Sequence, residues 1–165
     1  VIYGINISTS DAISNQQSPT QDVELNDTAE QSQEVTTYSL GDRIIVENFA
    51  YTFTNLQKKS YIGTEYFGNN ANGIFYIFNL EVNNLGNDAD YVNNEIYITD
   101  NQGREFSQDD GSWAYLDDNF IFEKLNPGLT KKGQIIFDVP KNIDGKLCIK
   151  ENAWSSNCFA LISYS

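Results

Sequence analysis

Apolar and polar positions alternate along most of this chain, and that rhythm predicts strands rather than helices. Val1, Tyr3, Ile5 and Ile7 alternate with Ile2, Gly4, Asn6 and Ser8, the pattern of a half-buried strand over residues 1–8. Residues 9–35 are dominated by Ser, Thr, Gln, Asn, Asp and Glu and contain no aromatic residue. They offer too little apolar surface to offset ordering entropy, so they read as a linker. From residue 36 onward the pattern is dense. RIIVENF (43–49) and AYTFTNL (50–56) predict two strands, and GTEYFGNNANG (63–73) predicts a Gly/Asn-rich loop. IFYIFNLEV (74–82) predicts a long strand with Ile74, Tyr76, Phe78, Leu80 and Val82 on one face. After an LGNDAD turn (85–90), YVNNEIYIT (91–99), REF (104–106), GQIIFDVP (133–140), KLCIK (146–150) and CFALISY (158–164) complete the strands. The stretch 113–125 is ambiguous and has room for a short helix. Asn126-Pro127-Gly128 predicts a tight turn, because Pro presets φ and Gly accepts a positive φ.

Strands spaced by turn signals, with no sustained helical period and no internal repeat, predict a β-sandwich, in which each sheet buries one face against the other. The 165 residues suffice for one domain with a real core, expected over residues 36–165. The aromatic content of 13% suits pleated surfaces. The formal net charge of −13, with few and scattered basic residues, argues against nucleic acid and anionic membranes as partners. No apolar run approaches the roughly 20 residues of a membrane span. The chain starts at Val rather than Met and has no signal peptide or N-terminal Cys, so it reads as a processed product or a cloned fragment without a lipid anchor.

YSLGDRIIVENFAYTF, IFYIFNLEVNNLGNDA, YITDNQGREF and EKLNPGLTKKGQIIFDVPKN, within residues 38–149, resemble the telokin-like, immunoglobulin-like extracellular domain family of bacterial and archaeal surface proteins and lipoproteins. The most specific pieces are LNPGLTKKGQIIFDVP and the strand carrying Phe78, Leu80, Val82 and Asn84. The resemblance implies an all-β, immunoglobulin-like antiparallel β-sandwich, here with an extended N-terminal strand and linker, in an extracellular or cell-surface setting. It implies no catalytic residues.

Chemistry is sparse. No His is present, which removes Ser-His-Asp triads and most catalytic zinc sites. Asp109/Asp110, Asp117/Asp118 and Glu123 could serve as paired acids and bases, but solvated loop charge is the favoured reading, and the chain is expected not to be an enzyme, with no cofactor. Asp88, Asp90, Asp109, Asp110, Asp117 and Asp118 are candidate oxygen ligands for a structural Ca2+. None of them matches an EF-hand loop. Tyr66, Phe67, Trp113 and Trp154 lie near turns and could stack on a glycan or cap the core, the second being favoured. Asn6 and Asn26 head glycosylation sequons, in numbers that chance alone supplies. Cys148 and Cys158 flank a polar loop, and a disulfide there is favoured over two buried thiols. It would contribute about 2–3 kcal/mol and point outside the cytoplasm.

The sharpest functional expectation concerns Val1, Tyr3, Ile5 and Ile7. A lone strand needs a partner. It could return to its own sandwich, or add to the sheet of a second copy, since the linker reaches about 30 Å. The second course predicts a filament or surface layer. The alternative function is a surface module that binds a protein, glycan or cation through loops at one end of the sandwich.

Overall fold

The computed structural model describes residues 36–120 and 123–150, and the backbone of 160–163. The chain divides into two units, Val1–Ser32 and Gln33–Ser165. The expected assembly strand with Val1, Tyr3, Ile5 and Ile7, the linker, both sequons, Cys158 and Trp154 lie outside the described residues.

Eleven strands are described: β1 (Thr36–Ser39), β2 (Arg43–Val46), β3 (Phe49–Gly63), β4 (Gly68–Asn84), β5 (Asp90–Tyr91), β6 (Ile96–Asp100), β7 (Glu105–Phe106), β8 (Lys124–Leu125), β9 (Thr130–Val139), β10 (Gly145–Ile149) and β11 (Ala160–Ser163). One sheet runs β1-β11-β10-β6-β7, a second runs β2-β3-β4-β9, and β5 pairs β8 as a small third. Pairing is antiparallel except between β1 and β11. The β-sandwich expected from the pattern is the fold.

The alternation of β4 explains its place at the centre. Tyr76, Phe78, Leu80 and Val82 enter the main core with Ile44, Tyr51 and Phe53 on one side and Ile98, Leu147 and Ile149 on the other. Each such side chain contributes about 1.5–3 kcal/mol on full burial. Phe78 meets Phe53 and Phe137 edge to face, with ring centroids 6.4 and 6.0 Å away. The opposite face of β4 is apolar too, because Phe75 and Ile77 join Ile62 and Ile136 in a second cluster against Leu116 and Ala71. Leu116 belongs to the long excursion between β7 and β8, which folds over the outer face of this sheet.

Several expected boundaries move. The strand read over 43–49 stops at Val46, and Glu47, at φ +53°, helps turn the chain into β3. Much of the loop read over 63–73 is strand: β4 begins at Gly68, and Asn69 and Asn70 pair with Ile62 and Tyr61. Polar composition suggested a loop there, but the β3–β4 pairing extends to Gly63 and Gly68, with its register shifted at Phe53/Asn55 and Lys59/Tyr61. The strand read over 91–99 divides into β5 and β6. The ambiguous stretch yields a 3₁₀ turn at Trp113–Tyr115 and the short β8.

Buried amides fasten the ends of the strands. Asn84 is wholly buried. Its Nδ2 donates to the carbonyls of Asp88 (2.9 Å) and Leu125 (2.7 Å), and its Oδ1 accepts from the Gly86 N–H (2.8 Å). Its backbone carbonyl accepts from Gly128, the residue of the expected Asn126-Pro127-Gly128 turn, at φ +73°. Across the sandwich, Tyr51 Oη donates to Asn94 Oδ1 (2.5 Å), and Asn94 Nδ2 donates to the Lys150 carbonyl (3.1 Å).

Candidate functional site

Two neighbouring surface features carry exposed aromatic residues, apart from Tyr91 on β5. The first is the turn between β3 and β4. The Thr64 N–H donates to the Phe67 carbonyl (2.7 Å), the Phe67 N–H donates to Thr64 Oγ1 (3.2 Å), and Tyr61 Oη donates to the Thr64 carbonyl. Gly63, at φ +110°, and Gly68 close the turn so tightly that a Cβ on either would strike backbone across it. This rigid tip holds Tyr66 and Phe67 at 82% and 75% exposure. They do not cap the core, contrary to the favoured expectation.

The second feature is the excursion. Asp109 organises it: Oδ1 accepts from the Gly111 N–H (3.0 Å), Oδ2 accepts from Ser112 Oγ (2.6 Å), and the Asp109 N–H donates to the Ile136 carbonyl of β9 (2.9 Å). Asn69 of β4 donates to Ser112 Oγ (2.8 Å), tying the excursion to the base of the aromatic tip. Trp113 follows at once, 44% exposed. Further on, the Phe120 N–H donates to the Gln134 carbonyl and the Gln134 N–H to the Asp118 carbonyl, so this segment runs along the outer edge of β9. Gly133 permits the approach, because a Cβ there would sit 2.8 Å from the Phe120 Cα and 2.9 Å from its N.

Between excursion and β9 lies a cleft of about 180 Å³, with Phe120, Ile135 and Ile136 among its apolar lining, Trp113 at its side and Gln108, Asp110 and Gln134 contributing polar groups. Larger, shallower depressions adjoin it on both sides. One shares Gln108 and Asp110, and the other shares Asp109.

The candidate carboxylates do not converge. Asp109 is spent on its turn, Asp90 Oδ1 accepts from the Tyr91 N–H, and Glu123 pairs with Lys131. Asp88, Asp110, Asp117 and Asp118 are exposed. Among the described residues, no three Asp, Glu, His or Cys side chains come together as metal ligands. Cys148 is fully buried in β10, and no cysteine among the described residues is free. Sequence reading singled out Trp113, Asp109 and Asp110 but missed Gln108, Gln134 and Gly133. The Asp-Asp-Gly-Ser run before Trp113 was the available signal, since Asp and Ser side chains fold back on such turns.

Elsewhere the titratable groups are structural. Burial pushes the Tyr97 hydroxyl up to about 12, helped by Glu105 and Glu95. Lys150 lies over the Tyr97 ring at 4.5 Å and pairs with Glu95 at 3.2 Å. Burial, then Glu47, raises Tyr51 well above the usual phenol range. For Asp100 burial acts upward, but the Arg104 N–H and guanidinium and the Gln102 N–H outweigh it and hold the carboxyl below 3.8.

Fold and surface together define a two-sheet β-sandwich with a decorated outer face. The chain belongs to the family described as Domain of unknown function (DUF4352), whose pattern matches residues 38–159. Its architecture is similar to that of MPT63, a secreted protein from Mycobacterium tuberculosis (TM-score 0.61, 13% identity, 81% of this chain and 100% of that one). It is also similar to a conserved hypothetical protein from Bacillus anthracis (0.58, 15%, 74% and 94%) and to an uncharacterized β-sandwich protein from Clostridium difficile (0.55, 16%, 81% and 96%). At these identities the likeness establishes the fold. No curated protein sequence matches the chain. No helix among the described residues is long and apolar enough to cross a membrane.

Proposed function

We propose that this protein is a non-catalytic recognition module working outside the cytoplasm, and that it engages a protein partner through the β3–β4 tip. The observation that carries this is the exposure of Tyr66 and Phe67 on a turn locked by hydrogen bonds at both ends. Large aromatic side chains left in water lose solvation free energy that a partner would recover, and a turn already fixed loses little further entropy on binding. Exposed Glu65 and Asn70 offer adaptable polar groups beside the rigid aromatic anchors, the division of labour used by binding loops. A non-catalytic role agrees with candidate carboxylates that are dispersed or engaged. The likeness to a secreted protein supports the setting.

Photocrosslinking in the producing cells tests this reading. A photoreactive phenylalanine at position 66 should give a discrete protein adduct that Phe67→Ala abolishes. The same group at Ile45, also exposed at 53% but on β2, serves as control. No adduct at 66, or the same adduct from 45, would refute the proposal.

A further inference from the structure

We infer that the cleft between the excursion and β9 binds a single ring of a neutral saccharide, a site separate from the aromatic tip. Its lining has the two-sided character that a pyranose requires. A sugar ring presents an apolar C–H face and a rim of hydroxyls. Trp113 offers a ring for the first, beside an apolar lining of Phe120 and Ile136. For the second, Gln108 and Asp110 bring side-chain polar atoms that take no partner among the described residues. Gln134 spends only its Nε2, on Asn79 Oδ1 (3.0 Å), and keeps its carbonyl oxygen. These groups stand ready to exchange water for hydroxyls.

The site is held in place before any ligand arrives. Asp109, Ser112 and Asn69 fix the turn that carries Trp113, and Gly133 fixes the distance of the opposite segment from β9. Preorganisation of this kind removes an ordering cost from binding. The class of sugar follows from charge. The cleft and its two neighbouring depressions are lined by Asp109, Asp110 and Asp138, and by Glu95, which pairs with Lys150; no Lys or Arg is in the lining, and Lys131, over the Phe120 ring at 5.6 Å, is paired with Glu123. Uronates, sialates and sulfated sugars would be repelled, whereas neutral hexoses and N-acetylhexosamines would not. The adjoining depressions allow the ring to belong to a longer chain.

The full chain can be titrated calorimetrically with cellotetraose, mannotetraose and chitotetraose, and with tetragalacturonate as the acidic probe. At least one neutral probe is expected to bind with Kd below about 1 mM, the weak range of single-ring recognition. Trp113→Ala should weaken it about tenfold or more, Trp113→Phe should keep most of it, and Asp110→Asn should weaken it severalfold. Should Trp113→Ala fail to fold, as judged by its melting curve, Trp113→Phe and Asp110→Asn decide. The pair Tyr66→Ala and Phe67→Ala should leave sugar binding unchanged, so failure of the tip reading does not touch this one. The inference is overturned if no neutral probe binds at about 10 mM, if folded Trp113→Ala binds as well as the parent, or if tetragalacturonate binds as tightly as the neutral probes.

Discussion

Replacing Asn84 probes the buried amide that joins the end of β4 to two turns and β8. Its side chain makes three hydrogen bonds of 2.7–2.9 Å at zero exposure. In Asn84→Ala the Gly86 N–H and the Asp88 carbonyl lie near the surface and regain water, so each loss costs about 0.5–1.5 kcal/mol. Leu125 is buried, and its carbonyl loses a donor that water does not readily replace, at about 1–3 kcal/mol. The expected destabilisation is about 3 kcal/mol, which with an m-value of ~2 kcal/mol/M lowers the urea midpoint by about 1.5 M. Asn84→Asp keeps the shape but turns a carboxylate oxygen toward two carbonyls. At neutral pH it should be worse than Ala, and it should recover as acid protonates the carboxyl and restores one donor. Urea unfolding followed by Trp fluorescence at pH 7 and pH 4 checks both. A change under about 0.5 kcal/mol in Asn84→Ala, or an Asn84→Asp variant as stable as the parent at pH 7, would refute the assignment.

Gly133→Ala should cost about 1–3 kcal/mol, because a methyl group must displace the backbone at Phe120. In the same variant Trp113 fluorescence should shift as the cleft opens, and an unchanged melting temperature would count against the close approach. The lowered carboxyl of Asp100 adds stability that is present above about pH 4 and lost as pH falls through its folded value. Asp100→Asn should therefore flatten the acid limb of a stability-versus-pH curve, and an identical limb in both proteins would contradict this. Cys148 and Cys158 are expected to resist alkylation in unreduced, denatured protein, with reduction costing about 2–3 kcal/mol of stability. Mass spectrometry showing two alkylated thiols would refute the bond.

The sandwich was legible because β4 and β9 write their two faces plainly: Tyr76, Phe78, Leu80 and Val82 against Ile135, Phe137 and Val139. The second apolar face, with Phe75 and Ile77, was visible as a run without a polar side, but its cover was not. Leu116 reaches it from a stretch whose own periodicity is weak. The start of β4 was misread because pairing with β3, rather than composition, makes residues 68–70 strand. Asn84 and Asn94 look like any of the chain's many asparagines. Their weight comes from which carbonyls and hydroxyls the fold sets beside them, and no local pattern encodes that. Trp113 was noticed, but the glutamines facing it come from β9 and from the other side of the turn. Their convergence is a property of topology.

The contact of the excursion with β9 has a consequence for how copies of this protein meet. An uncovered ten-residue border strand would be a template on which another polypeptide could lengthen the sheet. Residues 109, 118 and 120 occupy part of that row of amides and carbonyls. The strands at the other borders, β1, β2 and β7, are four residues long or shorter, and β2 pairs with only residues 49–52 of the longer β3. Uncontrolled stacking on β9 is thereby discouraged, and a strand arriving at that border would find only part of the row free to grip.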